Sequence, residues 1–145
     1  MEEQWLTPHL DRVEELSRRF FRHLHTRLEQ GACGISPSQY PLLRMLEERG
    51  ESTVSEVAAH LGMSVAGATG LIDRLVRAGL VERRRDESDR RLVFVTLSPA
   101  GREGLAEARR LRRSIIAELM SALTREEVEQ YMRIYEKMHA SLRAE

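Results

Sequence analysis

At 145 residues with a hydrophobic fraction of 41%, the chain is long enough for one domain, or for a small head with an attached interaction element, and too apolar for disorder. Its 23 basic and 23 acidic side chains cancel, so overall charge points to no polyanionic partner, and no run approaches the length of a membrane span. The acidic, polar start MEEQWLTPHLDRVEEL lacks the regions of a secretory signal, and the single cysteine, Cys33, can form no internal disulfide; both predict a cytoplasmic protein with no membrane partner.

A first helix is expected over about 8–30, opened by Thr7-Pro8, with Leu10, Val13, Leu16, Phe20, Leu24 and Leu28 on one face. Gly31 to Gly34 ends it. Ser36-Pro37-Ser38-Gln39 then reads as a Ser N-cap with Pro and Gln in the first turn of a second helix, about 37–48. Pro41 sits inside that helix and is expected to disturb its hydrogen bonding. Thr53-Val54-Ser55-Glu56 is a capping box for a third helix, about 54–61, with Val54, Val57, Ala58 and Leu61 at i, i+3, i+4 and i+7. Gly62-Met63 makes a turn, Ser64 caps a fourth helix, and Gly79 closes it with Leu80 as the hydrophobic follower.

The period then changes. Leu80 to Arg85 and Leu92 to Leu97 are strand candidates, joined by the polar run Asp86 to Arg91 as a hairpin loop. Ser98-Pro99 caps a long helix, about 99–121, and the capping box Thr124 to Glu127 starts another, about 125–143. Their apolar positions include Leu105, Leu111, Ile115, Leu119, Val128, Tyr131, Met132, Tyr135, Met138 and Leu142. Terminal helices with such stripes on so short a chain need a cover, and a two-fold partner is the natural one.

Residues 53–97 are therefore a short helix, a Gly-containing turn, a second helix and a hairpin, which is a helix-turn-helix with a wing. The layout suits double-stranded DNA, because a helix fits the major groove while a flanking basic loop reaches phosphate or the minor groove. From Ser64 to Arg85 five arginines face Asp73 and Glu82, a local net of +3, and Lys137 is the sole lysine of the chain; Arg is favoured where a planar fork meets phosphate.

The fourth helix has two faces. Ala68, Leu71, Ile72 and Leu75 should point inward, and Ala66, Gly67, Thr69, Gly70, Asp73, Arg74 and Arg77 outward. Ser64 and the first free backbone N–H groups can receive a phosphate oxygen. Each of the two glycines costs about 1 kcal/mol relative to Ala in a helix, which close helix packing or close approach to DNA would each explain. No Asn, Gln or Arg stands in the first two turns, so hydrogen bonding falls to Ser64 and Thr69, with Val65 and Ala66 available to thymine methyls. Selectivity is expected to lean on the wing and on DNA shape.

The run SVAGATGLIDRLVRAGLVERRRDESDRRLVFVTLSPAG resembles the MarR family (multiple antibiotic resistance regulators) over nearly the entire chain. The marks are Asp73-Arg74-Leu75, Gly79-Leu80-Val81 at the helix exit, Asp89 and Arg91 at the wing tip, and Leu97-Ser98-Pro99 with Gly101. The resemblance implies a mainly α fold: a winged helix-turn-helix with long N- and C-terminal dimerisation helices and a small β-hairpin wing. Residues 1–34 and 99–145 would be the dimerisation helices and 35–98 the DNA-binding region, in one intertwined domain. The implied function is a ligand- or stress-responsive repressor that binds a pseudo-palindromic operator as a homodimer. Carried over by position, Ser64 to Gly70 would face the major groove, Arg74 would contact phosphate, and Asp89 would brace Arg91 in the minor groove. Arg77, Arg84, Arg85 and Arg90 complete the candidate DNA-binding set. Gly70 departs from the family, which often has a polar or basic residue there.

The family commonly holds a small anionic or phenolic effector in the cleft between dimer helices and reading head. Trp5, His9, Arg12, Tyr40 and Arg44 are the candidates here, each with a plain packing or surface explanation. Cys33 precedes a helix N-terminus, where a thiolate is favoured, but peroxide-sensing relatives carry theirs near the start of the first helix, so an inert small hydrophobe is the preferred reading. His23 and His25 diverge on a helix and make no metal face. No phosphate loop, nucleophile elbow or metal-protease signature is present, so neither enzyme activity nor a cofactor is expected. Two rival readings remain open: an architectural DNA binder without effector, and a winged-helix protein-interaction module.

Overall fold

The computed structural model describes residues 4–31 and 34–142, so Cys33 lies outside the described residues. The elements in chain order are α1 (Thr7–Gln30), α2 (Tyr40–Arg49), β1 (Ser52–Thr53), α3 (Val54–Leu61), α4 (Val65–Arg77), β2 (Val81–Arg85), β3 (Val93–Leu97), α5 (Pro99–Met120) and α6 (Arg125–Ser141). The chain forms two compact units, residues 1–111 and 112–145.

Capping chemistry places most of these boundaries. Thr53 Oγ1 accepts the Glu56 N–H at 3.2 Å while Glu56 returns a carboxylate to the Thr53 N–H at 2.7 Å, so both halves of the box form at α3. Thr124 and Glu127 repeat the arrangement at α6. Ser64 Oγ accepts the Gly67 N–H at 3.0 Å and starts α4. At the far end of α4, Gly79 has φ of 74°, and the N–H groups of Gly79 and Leu80 bond the carbonyls of Val76 and Leu75, each at 3.0 Å. This is a Schellman stop, and the left-handed residue it needs is the glycine.

Two helix starts differ from expectation. α1 is capped by Leu6 with no side-chain bond, and Thr7 lies within the helix, not at its cap. Residues 37–39 form a turn and α2 begins at Tyr40 with Gln39 as N-cap. Gln39 still accepts the Ser36 N–H at 3.0 Å, half of the expected box. Pro41 is consequently in the first turn of α2, where helix N–H groups lack intrahelical acceptors anyway, and it breaks nothing.

The hairpin β2–β3 has the expected register, from Val81 opposite Leu97 to Arg85 opposite Val93. The two-residue strand β1 was not expected. It pairs Ser52 with Val95 and Thr53 with Phe94, making a three-stranded sheet in the order β1-β3-β2. A strand that short carries no period to read.

The core lies under this sheet and the three short helices. Leu42, Leu43, Met45 and Leu46 of α2, Val57 and Ala58 of α3, and Ala68, Leu71, Ile72 and Leu75 of α4 meet Val81, Val95 and Leu97. The four α4 positions are those expected to point inward. Leu105 and Ala108 of α5 close the cluster. α5 is docked by its first turn: Ser98 Oγ accepts the Gly101 N–H at 2.9 Å and donates to the Gly79 carbonyl at 2.6 Å.

The long helices are less covered than their stripes suggest. On α1 only Leu24 and Leu28 are buried, while Leu10, Val13, Leu16 and Phe20 are exposed. α6 has no buried residue, and Tyr131, Met132, Ile134, Tyr135, Met138 and Leu142 all face outward. Exposed apolar side chains in such numbers, on α1 and separately on α6, mark interaction sites.

Candidate nucleic-acid interface

The outward face of α4 and the near face of the wing enclose an open groove of about 840 Å³. Val65, Thr69 and Asp73 line it from α4, Thr53, Val54 and Ser55 from the start of α3, and Arg83, Arg85, Arg91, Leu92 and Val93 from the wing. Alternation along β2 explains which arginines take part, since successive strand side chains point to opposite faces. Arg83 and Arg85 share the groove face. Arg84 points the other way, stacks its guanidinium 4.9 Å from the centre of the Phe94 ring, and pairs with Glu51. The hydrogen bond that Arg84 donates to the Glu51 carboxylate is the main reason the Arg84 pKa is raised above its ordinary value. Arg84, expected in the DNA-facing set, is therefore held away from the groove.

The remaining candidates sort by their partners. Arg83 is ion-paired with Asp73, tying β2 to α4. Arg77 reaches the Asp73 carbonyl at 3.4 Å. Among the described residues Arg74, Arg85 and Arg90 make no ion pair. Thr69 donates its hydroxyl to the Val65 carbonyl at 2.9 Å, which leaves its oxygen free to accept. Ala66 is exposed and Gly70 half-buried. A Cβ built on Gly67 would meet Ser64 Oγ at 3.2 Å, whereas one on Gly70 would meet nothing within 4 Å. Packing inside this chain thus gives no reason for glycine at position 70.

The wing tip is ordered by its acids. Asp86 accepts the Ser88 hydroxyl at 2.7 Å and the Asp89 N–H at 3.0 Å. Asp89 accepts the Arg91 N–H at 3.0 Å and lies 3.5 Å from Arg91 Nε, while the rest of the Arg91 side chain is in solvent. These are Asx-type turns, in which a short side chain replaces a backbone acceptor. The Ser88 hydroxyl, and after it the Asp89 N–H, hold the Asp86 carboxyl below its ordinary pKa. A depressed carboxyl contributes order that is complete above the unfolded value of about 4 and lost as pH falls through the native one. Protection of the Asp89 amide, measured as its exchange relative to the unstructured chain at the same pH, should therefore fall on acidification below about pH 4, and Asp86→Asn should flatten that dependence. Unchanged protection down to about pH 2 in the native protein would count against it.

The effector candidates differ in exposure and partners. Tyr40 belongs to the core and bonds Arg109, whereas Trp5, His9, Arg12 and Arg44 are exposed. Trp5 meets His9 edge-on with ring centres 5.9 Å apart, and Arg12 pairs with Glu15 at 2.8 Å. Arg44 pairs with Glu48 at 2.6 Å and lines a shallow cavity of about 270 Å³ with Pro41, Met45 and His60. Of the polar groove residues, Thr53, Ser55, Arg83 and Asp73 were left out of the candidate DNA-binding set by sequence reasoning. The first two were visible only as helix-start signals, and Arg83 could have been found from the two-residue period it shares with Arg85.

The MarR family model matches residues 34–92. YsmB, an HTH-type transcriptional regulator of Bacillus subtilis, is 32% identical over 125 residues, which cover 82% of this chain and 85% of its own length. The chain belongs to the MarR family. The transcriptional repressor MprA of Escherichia coli is 30% identical over 137 residues, covering 89% of this chain and 78% of MprA. A MarR family protein of Bacillus stearothermophilus superimposes with a TM-score of 0.82 at 25% identity, over 98% of each chain. This MarR-family chain is thus a winged-helix, DNA-binding transcriptional regulator. No helix among the described residues is long and apolar enough to cross a membrane.

Proposed function

We propose that the groove between α4 and the wing lies along duplex DNA. In this reading Ser64, Val65, Ala66, Gly67, Thr69 and Gly70 face the major groove, and Arg74 and Arg77 meet phosphates. Arg85, Arg90 and Arg91 act from the wing, with Asp89 bracing Arg91. The observation that carries it is one concave surface with Val65 and Thr69 on one wall and Arg85 and Arg91 on the other. A bare Cβ site at Gly70 supports close approach of the helix to the base edges.

The protein acts as a homodimer, with residues 1–34 and 99–145 forming the dimer interface and 35–98 the reading head. The exposed apolar residues of α1 and α6 support this assignment. Two-fold symmetry then calls for a pseudo-palindromic operator with half-sites about one helical turn apart. A small anionic or phenolic effector would release DNA by favouring a different separation of the two α4 helices, and DNA would weaken the effector by the same factor. The protein works by binding alone, in the cytoplasm.

The test is selection of bound fragments from genomic DNA, followed by titration at fixed salt against the enriched site and a scrambled duplex. Enrichment of an inverted repeat that outcompetes the scramble is expected. Equal affinity for the two would overturn the reading in favour of an architectural binder.

A further inference from the structure

The three consecutive arginines of β2 have three different surroundings. Arg84 is held by Glu51 and Phe94 on the outer face, and Arg85 stands on the groove wall without an ion pair among the described residues. Arg83 shares the groove with Arg85 but is neutralised by Asp73, which reaches across from α4. Both members of this pair are about two-fifths exposed, at 37% for Arg83 and 40% for Asp73, so the fold does not require their charges to be paired. An acidic side chain on the wall of a groove that otherwise offers Arg83, Arg85 and Arg91 works against affinity for a polyanion. It is a liability for grip and an asset for discrimination, because phosphate contacts carry no sequence information.

We infer that Asp73 is a specificity-determining residue, which withholds Arg83 from the DNA backbone and limits sequence-independent binding. The inference rests on the groove facing DNA, as proposed above. Without Asp73, Arg83 would swing from α4 toward phosphate and add one ion contact per head. That would raise non-specific affinity while leaving base contacts as they were. Preference for the operator would then fall.

The experiment measures binding of a random-sequence duplex of about three helical turns across a salt series. The proteins compared are the native one and the Asp73→Asn, Arg83→Gln, double and Arg85→Gln variants, each checked for an unchanged melting profile. Asp73→Asn should bind that duplex about tenfold more tightly per head at about 0.1 M salt and steepen the log–log slope by about 0.9 per head. Its preference for the genome-selected site should shrink accordingly. Arg83→Gln alone should leave the slope unchanged, and the double variant should return it to the native value. If Arg83→Gln flattens the slope as much as Arg85→Gln does, Arg83 already touches phosphate and the inference fails. It fails equally if the double variant stays as steep as Asp73→Asn, since the effect would then be loss of the carboxylate's own repulsion. An unchanged slope in Arg85→Gln would instead remove the groove reading, and this inference with it.

Discussion

Replacing Arg85 and Arg91 together by Gln is expected to weaken binding to any duplex about tenfold per cation in each head at about 0.1 M salt, and to reduce the salt slope by about 0.9 for each phosphate no longer neutralised. Availability is the reason. Arg85 has no ion-pair partner among the described residues, and Arg91 is held only loosely by Asp89, with a side chain 95% exposed. Neither has to break a strong internal bond to meet phosphate. Arg84→Gln is the informative contrast. Its guanidinium is engaged by Glu51 and Phe94 on the outer face, so its loss should leave the salt slope alone. The cost would appear in stability, and it should be small because the pair is exposed. Electrophoretic or fluorescence titrations over a salt series separate the two outcomes. A slope that falls equally for Arg84→Gln and Arg85→Gln would show that strand alternation does not govern which arginines meet DNA.

The second large effect concerns stability. Gly101→Ala should destabilise the protein, although the same change in an open helix stabilises by about 1 kcal/mol. A Cβ at position 101 would lie 2.0 Å from the Leu80 carbonyl oxygen and 3.3 Å from Leu97 Cδ2. The obstacle is backbone, and that same oxygen accepts the Ser98 N–H at 3.1 Å, so it cannot give way without undocking the start of α5. Overpacking of this kind costs about 1–3 kcal/mol, which in a chain of this size lowers the melting temperature by roughly 3–10 °C. Gly70→Ala supplies the opposite sign. Its Cβ meets nothing within 4 Å, so the free protein should gain about 1 kcal/mol while DNA binding weakens. Thermal melts of both variants, with a duplex titration of the second, test the pair. A stabilised Gly101→Ala would mean the docked turn is looser than its bonds imply.

The contrast between those two glycines shows where reading a sequence stops. Ser98-Pro99-Ala100-Gly101 was legible as a cap and a family mark, yet nothing local says that Gly101 abuts Leu80. The two positions are brought together only when the chain closes on itself. The same holds for the triple arginine. Local composition marked it as basic, and a period of two could have divided it, but Glu51 and Asp73 as the respective partners of Arg84 and Arg83 are tertiary facts.

What the sequence determined alone was what depends on near neighbours: the capping boxes at Thr53 and Thr124, the glycine stops at Gly62 and Gly79, the inward face of α4, and the wing between Asp86 and Arg91. Each arises from bonds or periodicity spanning a few residues, so the order of letters suffices. Tertiary structure decided the rest. It paired β1 with β3 and parted Arg84 from its neighbours. It also left the outer α1 stripe bare and buried Tyr40 while Trp5, His9, Arg12 and Arg44 stayed in solvent. Those outcomes depend on which distant surfaces meet, and burial is a property of the closed chain that no single segment contains.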